Sequence, residues 1–513
     1  MKTIIYLILL TFCLLSAQVV NKISFDRFTH YEADDWITYG YSNYITSIDI
    51  GPENIYFGTT AGGVLRYNLF DEEWLFPLTT SNGLRSNRVI NVVFDYDSNQ
   101  LFARTEKGVD VFNLAFQYWQ PSGDKLPQRR SADFAYQRSD NYRFPAFSRP
   151  PVSNWPNFFP EKNYQIMLDG KIFDPDNRLY EVTDRIVDNW NKLWIGTNGT
   201  GIARGDLDMQ DIFFRKQSIA AIYPKDVLLD GDFIWMAGTP FDSEERGIAL
   251  WDTREDHWTY YKSGIISSIF SDDVQVMAKI GTEIFFGTEQ GLLSFNKKKE
   301  KWTNYQRGNV VKSDKIYDLL AHKNILYIAT VYGFFVYDPQ TKIFSQPENL
   351  LLKQNAVYKL CASDSAIFLA TNQGIAEFDI SSQKLKLINS RSAIADNYIS
   401  AIGYSNNQLW FAGLNGIGYT DLKSAIWKSY PALNLSFKND ITDIAFTDLY
   451  VWFATNNGLL KYDPERDYWY IYTTEDGLAD NRVSHIEVDG DFLWLSTPKG
   501  VTSFRWYSDG RFE

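Results

Sequence analysis

Histidine and cysteine are scarce: the 513-residue sequence has four His and two Cys. His30, His257, His322 and His485 stand at no metal-ligand spacing from one another or from a Cys, so the sequence predicts no metal site and no cofactor. Cys361, in "VYKLCAS", is the one thiol outside the N-terminal leader. One thiol makes no internal disulfide, so it reads as a small core hydrophobe. Basic residues are outnumbered, 50 Lys and Arg against 63 Asp and Glu. The net charge of −13 disfavours nucleic acid and anionic membranes as partners. Neither a Gly-x-Ser-x-Gly elbow nor an Asp box (Ser-x-Asp-x-Gly-x-Thr-Trp) occurs, which removes the commonest hydrolase signatures. No run of eighteen apolar residues follows the leader, so no transmembrane segment is expected in the mature chain. Nor is there a sustained helical period.

At the start, Met1 and Lys2 precede the apolar run Ile4 to Leu15, and the small residues Ser16 and Ala17 follow. That order predicts a signal peptide over 1–17 and a mature chain over 18–513, exported to the periplasm, the outer-membrane surface or the medium. Aromatic residues make up 16% of the chain and recur at fixed places, the mark of a repeat.

Aligned on a Gly followed by an apolar residue, "KLWIGTNGTGIARGD" (192–206), "EIFFGTEQGLLSFN" (283–296), "AIFLATNQGIAEFD" (366–379) and "VWFATNNGLLKYD" (451–463) fall under one another. Ten such copies run through the chain, most about forty residues apart. Each begins with an alternating apolar run such as "ITDIAFTD" (441–448), passes through the aromatic run and the Gly turn, and ends on an aromatic pair as in "KWTNYQR" (301–307). Four short β-branched and aromatic runs per unit, separated by Gly, Asn and Asp turns, predict an all-β propeller of about ten four-stranded blades. A single ring is expected, with two smaller propellers as the alternative. The dodecamers "TTSNGLRSNRVI" (79–90) and "TTEDGLADNRVS" (473–484) read as junctions between blades. In them Gly83 and Gly477 turn the chain, Leu84 and Leu478 plug the gap, and Asn87 and Asn481 cap the turn. The last unit lacks a fourth strand, and "DDWITYGYS" (34–42) is a spare one, so the two ends of the chain are expected to clasp.

"LWIGTNGTGI", "VWFATNNGLLKYD" and "TTEDGLADNRVS" resemble the two-component regulator propeller repeats, which form periplasmic sensor propellers of hybrid histidine kinases. The resemblance covers nearly all of the mature chain except roughly 123–175. A PorZ-type propeller of type IX secretion is a more distant resemblance. No kinase or receiver segment stands in this sequence, so signalling output is not implied. What is implied is extracytoplasmic recognition, with a separate signalling or secretion component as a further partner.

Ligands of propellers meet the face built by the loops between second and third strands and between blades. Here those loops carry Asn198, Gln290, Tyr332, Asn372, Gln373, Asn415, Asn456 and Asn457, whose amides and hydroxyls suit a neutral polar ligand such as a glycan. The segment 123–175, between blades two and three, breaks the repeat. Within it, 129–164 is rich in Arg, Pro and aromatics, and Arg138, Tyr142, Arg143, Phe147, Arg149 and Trp155 would stack on sugar or peptide if exposed, or would pack the segment onto the blades. The expectation is a non-catalytic binding or scaffold propeller for a glycan, peptide or protein partner of the cell envelope. The alternative is a carbohydrate-active lyase or hydrolase whose carboxylates meet in the central channel.

Overall fold

A computed structural model describes residues 31–123, 125–132, 143–161, 163–243, 245–305, 315–347, 355–388, 398–431, 440–508 and 511. The chain is all-β with ten blade sheets, nine four-stranded and one widened to seven strands. Blades 1 to 10 occupy 45–78, 89–121, 179–215, 222–261, 274–304, 316–345, 357–387, 399–431, 441–472 and 485–505. Blade 10 takes its outermost strand from the N-terminus: Trp36–Tyr39 pairs antiparallel with the strand of Phe504, and the Trp36 ring stacks on Phe504 at 3.7 Å. The clasp predicted from the sequence is therefore present.

In every blade but 4 and 8 a Thr ends the second strand and locks the next turn. The Thr455 hydroxyl donates to the Gly458 carbonyl at 2.7 Å and accepts from the Asn457 N–H at 3.0 Å, while Gly458 sits at φ 133. A side chain at that φ is strained, which is why Thr-x-x-Gly recurs. The two dodecamers form matching junctions. Leu84 and Leu478 are buried between blades, and the Asn87 and Asn481 side-chain oxygens accept from the N–H groups of Thr80 and Thr474 at 2.7 and 2.8 Å.

A second repeated feature decides which blades are neighbours. The innermost strands of blades 1 to 9 carry a β-bulge near their start. The residue just after it often accepts a hydrogen bond from the innermost strand of the next blade. Asp318 of blade 6 takes the N–H of Leu360 in blade 7 at 2.7 Å, and Asp443 of blade 9 takes that of Ile486 in blade 10 at 3.1 Å. Asp226 of blade 4 takes that of Met277 in blade 5. A charge-assisted bond of this kind is worth about 1.5–3 kcal/mol.

Traced through these contacts, blades 4 to 10 form a closed ring of seven, in which the innermost strand of blade 10 packs on that of blade 4. The Ser484 hydroxyl donates to the Pro224 carbonyl across that seam at 3.2 Å. Blades 1 to 3 stand apart as an arc. Asp184 of blade 3 takes the N–H of Ile48 in blade 1, and Ser47 of blade 1 takes that of Val92 in blade 2. The single ring expected from the sequence is therefore not what forms; the chain makes a seven-bladed ring beside a three-bladed arc, nearer to the alternative of two smaller units. Tyr180 and Arg178 of blade 3, together with Lys216 and Lys262, gather around the buried carboxylate of Glu245 and tie arc to ring.

Candidate functional site

The sequence-predicted face divides between the two units. Gln290, Tyr332, Asn372, Gln373, Asn415, Asn456 and Asn457 are exposed in the second-to-third hairpins of blades 5 to 9, around one mouth of the ring. Asn198 lies on the arc, in a groove of about 500 Å³ shared with Tyr41, Arg88 and Phe241.

Each bulge lies at the mouth end of its strand, so the residues after the bulges form a layer just beneath these loops. At that level the ring carries Asp226, Val276, Asp318, Lys359, Ala401, Asp443 and His485 in blades 4 to 10. The polar ones converge. His485 Nδ1 lies 2.7 Å from Asp443 Oδ2, and its Nε2 lies 2.9 Å from Asp226 Oδ1 and 3.9 Å from Glu487 Oε2. Lys359 Nζ lies 3.3 Å from Asp443 and 3.8 Å from Asp318. Burial favours a neutral imidazole, but Asp226 and Asp443 outweigh it and hold His485 protonated well above its ordinary range. Burial also works against the Asp443 carboxylate, yet Lys359 and His485 keep it below the usual range. Asp318 goes the other way: burial raises it to about 6 despite Lys359 and the Leu360 N–H. Burial, with Asp226 and Asp443 adding to it against His485, raises Glu487 to about 7. His485, unpaired along the sequence, is therefore paired in space, and distant carboxylates do meet at the axis. A polar residue at one fixed place in successive repeats was the available signal.

A third feature had no counterpart in the sequence reading. A cleft of about 640 Å³ separates arc from ring. Its floor is the two chain segments that join the units, with Tyr39, Gly40 and Ser42 from one and Arg215 and Gln217 from the other. Trp74 and Phe76 of blade 1 and Trp194 and Phe213 of blade 3 line the arc side. Trp251 and Trp258 of blade 4 line the ring side, stacked on each other at 5.0 Å. The Trp251 and Trp258 indoles donate to Asp256 and Gln217, and Gln217 in turn donates to Asp256, which holds that wall in one arrangement. The three arginines of the cleft have partners beside them: Arg204 with Glu72 at 3.2 Å, Arg215 with Glu161 at 2.8 Å, Arg254 with Glu255 at 3.8 Å. Aromatic walls with balanced charge suit a neutral ligand that has apolar faces and many hydroxyls or amides.

The insertion between blades two and three contributes mainly packing. Phe147 and Trp155 are buried, and Arg149 reaches the centre of the arc, 3.4 Å from Asp49 and 3.5 Å from Asp184. Arg129 donates to Asn91 and the Val92 carbonyl of blade 2 and pairs with Asp184 of blade 3 at 3.3 Å. Further on, Phe159–Pro160 and the hairpin Gln165–Ile166 and Lys171–Phe173 extend the blade 3 sheet on both sides. Arg143 is exposed, and Arg138 and Tyr142 lie outside the described residues. Among the described residues, no cluster of His, Cys, Asp and Glu has the arrangement of a metal site, and no helix is long and apolar enough to cross a membrane.

No family model matches this sequence, and no curated protein does. Solved structures share the fold. PorZ, a surface component of the type-IX secretion system of Porphyromonas gingivalis, aligns with 92% of this chain and 87% of its own at a TM-score of 0.51 and 12% identity. The extracellular domain of BT4673 from B. thetaiotaomicron, assigned to a hybrid two component system, aligns with 92% of this chain and 71% of its own at a TM-score of 0.47 and 14% identity. At 12% identity the PorZ alignment speaks for the fold alone.

Proposed function

We propose that this protein is an exported, non-catalytic recognition propeller that binds a neutral polar ligand of the cell envelope, a glycan or a glycan-bearing protein partner. The observation that carries this reading is the cleft between arc and ring: aromatic walls, mutually paired charges, and a floor made by the two connections between the units. Sites at the junction of two units are common, because each side supplies a rigid wall. The mouth residues Gln290, Tyr332, Asn372, Gln373, Asn415, Asn456 and Asn457, with Asn198 across the junction, form a second polar surface of the same preference. The test is a panel of neutral envelope oligosaccharides read by melting shift, since a ligand that binds only the folded state raises its stability. A binder found this way should lose at least tenfold in affinity in Trp74→Ala or Phe213→Ala. Retained affinity in both would move the site to the mouth, where Asn372→Ala and Tyr332→Ala are the corresponding probes.

A second reading rests on the axis. A carboxyl raised to about 7 (Glu487) beside a protonated imidazole is a general acid–base arrangement. Turnover of a polysaccharide that disappears in Glu487→Gln while binding persists would favour it over the first.

A further inference from the structure

The hairpins joining third to fourth strands differ between the two units. All emerge at the end of the blades opposite the mouth. In the ring the middle pair of each is polar: Arg254-Glu255, Lys298-Lys299, Gln340-Thr341, Ser381-Ser382, Lys423-Ser424 and Glu465-Arg466. In the arc each hairpin holds up a large apolar side chain, with Phe70 65% exposed, Phe116 71% and Met209 74%. Trp190, in the other hairpin of blade 3 at this end, is 45% exposed and meets Phe70 edge-on at 5.8 Å. A single exposed apolar residue needs no explanation. A large exposed apolar residue at the middle of three successive hairpins of one unit, and at the middle of none of the six of the other, where Leu422 at a hairpin's first position is 39% exposed, is a patterned surface. The adjoining turns are acidic, with Glu53, Asp71, Asp97 and Asp208 all exposed. Of the cations at this end, Lys192 and Arg204 are paired with Asp206 and Glu72, Arg66 donates to Gln117 and the Phe76 carbonyl, and Arg130 lies over the Tyr96 ring at 4.7 Å.

We propose that this end of the arc docks a protein segment with an apolar stripe flanked by Lys and Arg. The aromatic and Met side chains supply the desolvated centre of such an interface, and the acidic turns supply its rim. The charge selects the occupant. A bilayer surface is neutral or anionic overall and gives these carboxylates no net attraction, and a two-fold contact between copies would bring the acidic turns against one another.

The defined probe is a synthetic amphipathic helix of Leu and Lys, with its Leu and Glu counterpart as control, read by fluorescence anisotropy on the full-length protein. The Leu/Lys helix should bind and weaken with salt, and the control should not bind. The combined variant Phe70→Ser, Phe116→Ser and Met209→Ser should lose at least tenfold in affinity with its melting unchanged, because these side chains are exposed. Phe116→Asp alone should lose part of that. Substituting the ring positions Lys298, Gln340 and Glu465 by Ser should leave binding intact. Equal binding by the triple variant, equal binding of the Leu/Glu helix, a dimer in sedimentation that the triple variant dissolves, or uptake by phosphatidylcholine vesicles lost in that variant would each overturn the proposal.

Discussion

Ring and arc are built from the same repeat but fill their centres differently. In the ring the axis is occupied by side chains of its own innermost strands, Asp226, Asp318, Lys359, Asp443 and His485. In the arc the corresponding positions hold Ser47, Asn91 and Asp184; Arg129 from the insertion bridges blades 2 and 3, and Arg149 joins blades 1 and 3. Seven blades with the usual twist between sheets come round on themselves, and the last seam repeats the contacts of the others. Three blades do not, so the missing donors come from outside the repeat. Arg129 gives Asn91 the hydrogen bond that a next blade's N–H would have given. The difference teaches that a blade is a unit of packing, and that closure is a separate problem solved by number in one unit and by arginine in the other.

The strongest way to break the comparison is to separate the units. Ser42 N–H donates to the Ser218 hydroxyl at 2.6 Å, so the two connections lie side by side. Excising 43–217 and joining Ser42 to Ser218 is expected to leave a ring that melts cooperatively with β-type circular dichroism. Residues 43–217 alone should lack such a transition. A ring that fails to fold without the arc would remove the distinction between the two. Single substitutions should then fall on one unit at a time. Asp443→Ala leaves Lys359 and His485 short of their shared carboxylate and is expected to cost about 3–5 kcal/mol. Arg149→Ala leaves Asp49 and Asp184 buried together and, with the arginine partly solvated, is expected to cost about 2–3 kcal/mol. By hydrogen exchange the first should loosen amides of blades 7 to 10 and the second those of blades 1 to 3.

Acidity sharpens the contrast more gently. Glu487, raised to about 7, and Asp318, raised to about 6, bind protons more tightly folded than unfolded. Their contribution is full in the ordinary carboxylate range and is lost as pH rises through about 6 to 7. The Asp443 carboxylate has the opposite sign, being lost on acidification below the ordinary range. The ring should therefore melt higher at about pH 5.5 than at pH 8. The gain is about 1 kcal/mol once solvent screening at the part-exposed Glu487 is discounted, and Glu487→Gln should flatten the profile. The smallest effect should be the most even. Asn87→Ala at an arc junction and Asn481→Ala at a ring junction each remove one turn-capping acceptor and should cost about 1 kcal/mol apiece in thermal melts.

Legibility follows the same division. The blades, the clasp of Trp36–Tyr39 and both junction turns could be read from the chain, because each depends on residues close in sequence or on a missing strand with one supplier. The number of rings could not. Asp184 and Asp226 follow the bulges of consecutive repeats, yet one meets blade 1 and the other blade 5, and nothing local to either says which N–H it will find. The axial cluster was hidden for the same reason, its members being contributed by five separate repeats. Phe147 and Trp155 show a further limit: an Arg- and aromatic-rich segment has the same composition whether it greets a ligand or fills a gap.

The clasp also sets an order of events. Residues 36–39 leave the ribosome first among the ring's parts, but their pairing strand, 500–505, leaves last. The arc and every other blade are made in between, so the outermost strand of blade 10 waits nearly the whole length of synthesis for its neighbour. Until then the ring is an open row of blades with an unpaired edge at one end, the kind of edge that joins strands from other chains. A nascent or truncated chain lacking 500–505 is thus expected to be a sticky species, sealed only once that strand is made.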